Sequence, residues 1–138
     1  MFEKVLVAVD GSPAAAHAVS AAKELASLSG GQVRVVHVRE FSAAPRGGRV
    51  SSEGSQEAEK IVEDTIAELV QAGVAATGIV RAARYGHVAT ELLDEASEWN
   101  ASVILIASRG LSDLAGLVIG STTHKVLHLG HVPVLVVR

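Results

Sequence analysis

Two hydrophobic rhythms alternate along this chain. Residues 4–9 (KVLVAV), 32–39 (QVRVVHVR), 102–107 (SVILIA) and 134–137 (VLVV) are short, nearly continuous apolar runs of strand length. Between them the apolar positions recur at helical spacing. One stretch is alanine-rich, from Ala14 to about Leu28. A second carries Ala58, Ile61, Val62, Ile66, Leu69 and Val70 between Gln56 and Ala72. A third carries Val88, Leu92 and Ala96. Punctuation agrees with this division. Ser12 can cap the first helix, Pro13 suits its first turn, and Gly30-Gly31 ends it. Gly86-His87-Val88-Ala89-Thr90 starts the third helix, while Gly120-Ser121 opens a fourth that Gly130 ends. Residues 74–84 form a weaker strand. They carry Gly78, Arg81 and Arg84, which suit a sheet edge.

The predicted order is βαβαβαβαβ, an α/β fold. Strands that alternate with helices imply an open parallel five-stranded sheet with helices on both faces. Right-handed crossovers favour the strand order 3-2-1-4-5, with a switch point between strands 1 and 4. Residues 40–55 (EFSAAPRGGRVSSEGS) break the pattern and are expected to be a flexible surface loop rather than a boundary, because the alternation resumes after them. Residues 1–138 are therefore expected to form a single domain.

Composition narrows the function classes. Apolar residues make up 49% and charged residues 20% of the chain, which suits a globular protein. No apolar run approaches the ~20 residues needed to span a bilayer, and the N-terminal run lacks the features of a signal peptide, so no membrane association is expected. Cysteine is absent, which excludes disulfides and thiolate metal sites and fits a cytoplasmic protein. A net charge of −3 argues against a non-specific nucleic-acid binder. So does the aromatic content: Phe2, Phe41, Tyr85 and Trp99 cannot build a stacking platform.

Ligands of such sheets bind beyond the carboxyl ends of the strands at the switch point. The loops that meet there are Asp10-Gly11-Ser12 and the stretch from Ala107 to His124, ASRGLSDLAGLVIGSTTH. Gly120-Ser121-Thr122 lies at a helix start, where unpaired backbone N–H groups and the helix dipole attract anions. The hydroxyls of Ser121 and Thr122 add donors, and Gly110 would let the loop fold back over the same phosphates. Ser121 as a simple N-cap is the competing explanation, as an ordinary Asp-Gly turn is for Asp10. Neither a Walker phosphate loop nor a G-x-G-x-x-G fingerprint is present, so no lysine-dependent phosphate chemistry is implied.

The chain resembles the universal stress protein family over its whole length. The resemblance is carried by KVLVAVDGSPAAAHAV, by VVHV in the second strand, by SRG after the fourth, and by the ending GSTTHKVLHLGHVPVLVV. ATP-binding members of that family carry Gly-x-x-Gly, nine residues, then Gly-[Ser/Thr]. Gly110, Gly120 and Ser121 match at that spacing, and Ala107 replaces the first glycine. The resemblance implies a Rossmann-like fold similar to the adenine nucleotide alpha hydrolases, and ATP as the ligand. It places Asp10, with the adjoining Gly11 and Ser12, near ribose, phosphates or Mg²⁺. It places the backbone of Val38 at the adenine, and Ala107, Ser108, Arg109, Gly110, Gly120, Ser121 and Thr122 around the phosphates. It also implies a homodimer. In the 3-2-1-4-5 order, Val134–Val137 is an apolar edge strand that pairing with a second copy would cover. Further protein partners are expected but not identified.

Other chemistries fit less well. His124 and His128 share a helical face and His131 is near, but no zinc pattern is formed, and a surface or dimer contact is the simpler role. His37 is expected to be a packed core residue. Receiver domains need an acidic pair, a phosphorylatable aspartate after strand 3 and a lysine before the last helix, and all are missing. Arg109 has two roles open, a phosphate partner or a solvated surface arginine. Asp113 is the only acid within the phosphate loop; as a water activator it would make the protein a slow ATPase, but no positioned general base is evident and enzymatic activity is not expected. The leading expectation is an ATP-binding stress-response regulator. The alternatives are a nucleotide-free dimeric interaction module, which Ala107 favours, and a weak ATPase. A flavin carrier is more distant, since neither site loop has an aromatic.

Overall fold

Alternation along the strands divides the core in two. In the computed structural model, which describes residues 1–109 and 119–138, Val5, Val7, Val33, Val35, Val103 and Leu105 point to one face of the sheet. Leu6, Val36, Ile104 and Ile106 point to the other. These strands are β1 (Lys4–Ala8), β2 (Gln32–Ala43) and β5 (Val103–Ala107). The first face is covered by α1 (Pro13–Ser29) and α2 (Ser55–Gln71) through Ala18, Ala22, Val62 and Leu69. The second is covered by α3 (Val88–Trp99) and α4 (Ser121–Leu129) through Ala89, Leu92, Ala96 and Val126. Burial on both faces explains why these strands read as continuous apolar runs. Each fully buried Val, Leu or Ile contributes roughly 1.5–3 kcal/mol relative to exposure.

The sheet is completed by β4 (Ala75–Arg84) and β6 (Val134–Val137). The five long strands run parallel in the order β4-β2-β1-β5-β6, which is the expected 3-2-1-4-5 in the numbering of the sequence pattern. The switch point lies between β1 and β5. β4 is at an edge, as expected. Gly78 within it has a packing reason: a Cβ there would meet Val62 Cγ1 at 2.5 Å, so its absence lets α2 lie close.

Helix boundaries follow the local chemistry. Ser12 Oγ accepts from the Ala15 N–H at 3.2 Å and caps α1, Pro13 opens it, and Gly30 closes it with φ 67°. Residues 40–55 depart from the expected surface loop. β2 continues to Ala43, and its end pairs antiparallel with β3 (Arg49–Val50), Ser42 opposite Val50 and Ala43 opposite Arg49. The extension is held by β4, which pairs with β2 as far as Phe41 opposite Arg84. Among the described residues no helix is long and apolar enough to cross a membrane.

Candidate functional site

Beyond the carboxyl ends of β1, β2 and β5 lies a cleft of about 360 Å³. That is within the range of about 300–1,000 Å³ typical of small-molecule sites. It opens at the switch point, between the turn after β1 and the N-terminus of α4.

The turn after β1 is built by its own side chains. Asp10 Oδ1 accepts from the Ser12 N–H at 2.9 Å, and Gly11 takes φ +80°, a left-handed conformation that suits glycine. Asp10 lines the cleft. Gly11 and Ser12 instead shape the turn, and Ser12 is buried as the α1 cap.

β2 runs past the end of β1. The Val9 N–H donates to the Val36 carbonyl at 2.9 Å, which closes the pairing of these strands. Backbone groups alternate sides along a strand, so those of Val38 point to the same side as those of Val36, past the end of β1 and toward the cleft. Val38 lines the cleft with Val88 and Leu92 of α3. This end offers a backbone edge against an apolar wall, which suits a flat heterocyclic base.

The opposite end is polar. Ala107, Arg109, Gly120, Ser121 and Thr122 line it. Gly120 is the N-cap of α4 at φ −56° and ψ 153°, and it brings no side chain to cap the helix. Its own N–H donates to the Ser108 carbonyl at 2.8 Å. The donors left at the helix start are therefore those of its first turn, from Ser121 onward. Ser108 does not line the cleft; its N–H donates to the Val137 carbonyl at 2.8 Å, so its backbone joins β6 to α4. Arg109 is exposed at the rim. Gly110 and Asp113 lie outside the described residues.

Several residues at this site carried no signal in the sequence pattern. Thr123 is buried, and its Oγ1 donates to the Ala107 carbonyl at 2.7 Å. His37 is buried as expected of a core residue, yet it also lines the cleft and meets Glu53. Ser51, Ser52 and Glu53 form a further wall from the segment before α2. Glu40 reaches the cleft as well, and accepts from the Gly86 N–H at 2.9 Å.

No group of three or more His, Cys, Asp or Glu fit to hold a metal occurs among the described residues. Magnesium seldom uses such a cage. It takes one or two carboxylates and completes its shell with phosphate oxygens and water, and Asp10 at the cleft is a carboxylate of that kind. The rings of His124 and His128 stack 6.3 Å apart on α4.

The family model described as the universal stress protein family matches residues 1–138. Universal stress protein YxiE of Bacillus subtilis is 33% identical, with all of both chains covered. The universal stress protein encoded in the QAH/OAS sulfhydrylase 3′ region of Thermus aquaticus is 31% identical, again over all of both chains. Among solved structures, the universal stress protein of Archaeoglobus fulgidus in complex with dAMP superposes with a TM-score of 0.77. It shares 26% identity, and each chain is covered completely.

Proposed function

This chain belongs to the universal stress protein family, and on that premise we propose that it is an ATP-binding regulator of a stress response, acting in the cytoplasm as a homodimer. The observation that carries the proposal is the two-ended cleft at the switch point: a backbone edge and apolar wall at Val38, and an uncapped helix start at Gly120-Ser121-Thr122. The Archaeoglobus relative named for its dAMP complex supports an adenine nucleotide as the ligand class. In this reading the base would lie along Val38, the ribose near Asp10, and the phosphates on the first turn of α4. Arg109 at the rim supplies a charge-assisted donor. Asp10 is the residue that would hold Mg²⁺ bound with ATP, and the ion would supply neutralisation of phosphate charge.

Occupancy rather than turnover is the output. A change in occupancy would then alter which proteins the dimer meets.

Calorimetric titration of nucleotide-stripped protein with ATP and Mg²⁺ tests the proposal, alongside the Gly120→Val variant. Micromolar binding by the parent chain and its loss in Gly120→Val, with the fold intact, is the expected result. Binding that survives Gly120→Val would refute the phosphate site. No binding by either at millimolar ATP would favour the nucleotide-free interaction module.

A further inference from the structure

Side chains alternate along β2, so those of Val36, Val38 and Glu40 share the sheet face that α3 covers, while His37 and Arg39 face the other way. Glu40 is half-buried and lines the cleft with Val38, Val88 and Leu92. Its Oε2 accepts from the Gly86 N–H at 2.9 Å. Gly86 is held also by Lys125 of α4, whose Nζ donates to the Gly86 carbonyl at 3.0 Å. Among the described residues, the bond to Gly86 is the one hydrogen bond of this carboxylate, and it has no ion pair. The second oxygen, Oε1, is an acceptor left over at the apolar end of the cleft.

The other polar side chains around that end cannot play the same part. Glu53 meets His37 on the opposite face of β2, with carboxylate oxygens 2.6 and 2.9 Å from Nε2. The hydroxyls of Ser51 and Ser52 donate or accept alike, so they do not tell a donor from an acceptor on a ligand. Asp10 stands at the end of β1 and accepts from the Ser12 N–H. Glu40 is two residues along the strand from Val38, a step of roughly 6–7 Å. A base set against the Val38 backbone and a glutamate side chain span that step together.

We propose that Glu40 is a specificity-determining residue of the cleft: its second carboxylate oxygen accepts from the exocyclic amino group of adenine and rejects a base with a carbonyl there. The proposal rests on the nucleotide site proposed above. The amino group of adenine carries two hydrogens, so one goes to the Val38 carbonyl and the other to Glu40. Hypoxanthine and guanine have an oxygen at that position, which sets acceptor against acceptor. The negative charge of Glu40 also repels phosphates from the base end. The first turn of α4 and Arg109 attract them at the other end. Glu40 thereby helps to fix which way round the nucleotide lies.

The bond to Gly86 makes the role testable. In Glu40→Gln the Gly86 N–H keeps the amide oxygen, so the amide nitrogen faces the base and the acceptor there becomes a donor. ATP and inosine triphosphate, in which an oxygen replaces the amino group, are titrated calorimetrically with Mg²⁺ into nucleotide-stripped full-length protein. The parent chain, Glu40→Gln and Glu40→Ala are compared, and thermal unfolding checks that each is folded. The Val38 backbone is common to all three chains, so the change in the ratio of the two affinities isolates residue 40. The parent chain should prefer ATP. The ratio should fall roughly tenfold or more in Glu40→Gln, with inosine triphosphate binding more tightly than to the parent chain, and Glu40→Ala should lie between. A ratio unchanged in Glu40→Gln overturns the role of Glu40, even where both affinities fall together, because residue 40 then only supports the turn at Gly86. Loss of both nucleotides in a folded Glu40→Gln overturns it in the same way. A parent chain that binds no ATP at millimolar concentration overturns the nucleotide site itself, and the role of Glu40 with it.

Discussion

Thr123 on α4 donates a 2.7 Å hydrogen bond to the carbonyl of Ala107, the last residue of β5. The bond joins the two ends of the phosphate loop directly, whatever the residues between them do. The Gly120 N–H reinforces it with its 2.8 Å bond to the Ser108 carbonyl. The helix start is thus fixed to the sheet at the switch point before any ligand arrives, which limits the reorganisation that binding requires.

Thr123→Val keeps the shape and removes the donor. The Ala107 carbonyl then loses this bond, for a cost of about 1–3 kcal/mol. The first-turn N–H groups also lose their anchor, so ATP affinity should fall roughly tenfold. Denaturant unfolding and calorimetry read the two effects. Unchanged affinity at reduced stability would show that the anchor serves the fold alone.

The strands of the core were legible because burial on both faces leaves uninterrupted apolar runs, and the caps were legible because Ser12, Pro13, Gly30 and Gly130 act locally. What escaped depends on partners distant in sequence. The end of β2 contains Glu40 and Ser42, which read as loop. It is ordered by pairing with β4 and β3, and by Phe41, which lies under the guanidinium groups of Arg39 at 4.8 Å and Arg49 at 4.4 Å. Glu53 likewise has no periodic signal, because its importance comes from a histidine on another element. At the site, Asp10, Val38 and Gly120–Thr122 were marked by topology and resemblance and do line one cleft. Gly11, Ser12 and Ser108 adjoin it and hold its shape.

Glu95 is expected to be the most sensitive charged position for stability. It is 3% exposed, with one carboxylate oxygen 2.9 Å from Arg34 Nε and the other 2.6 Å from Arg81 Nη1. Burial opposes the charge of Arg81, but the hydrogen bonds it donates to Glu91, Glu95 and Glu98 outweigh it and hold the guanidinium above its ordinary value. The cluster pins α3 to β2 and β4. Glu95→Ala leaves both arginines without their shared partner and should destabilise by about 3 kcal/mol, near the lower limit for a buried pair because each arginine keeps some solvent. Adding Arg81→Met should recover part of that loss. If urea unfolding shows additive losses instead, the pair is not coupled.

Assembly is tested at the opposite sheet edge. β6 pairs with β5 on one side, and Leu135 at its centre is 46% exposed. An apolar edge of this kind is covered most simply by the same edge of a second copy about a two-fold axis. Leu135→Lys should shift sedimentation from dimer to monomer at micromolar protein while leaving the thermal transition of the monomer nearly unchanged. Dimerisation as tight as in the parent chain would place the interface elsewhere.

Ala107 decides between the nucleotide site and its nucleotide-free alternative. It stands where the family motif has its first glycine. The usual objection to alanine there is conformational, but among the described residues only Phe2 and Asn100 are non-glycine positions with positive φ. Ala107 is ordinary strand, in register with Val137 and 6% exposed. Its methyl group therefore causes no backbone strain, and it adds buried apolar surface at the end of β5. Ala107→Gly should lower stability by about 0.5–1 kcal/mol, as glycine does within a strand. It should change ATP affinity by no more than about threefold, well under the 1.4 kcal/mol of a tenfold change. A tenfold or greater gain in affinity would mean instead that the methyl group stands where a phosphate must go. The parent chain would then be a member that keeps the cleft but has begun to close it to nucleotide.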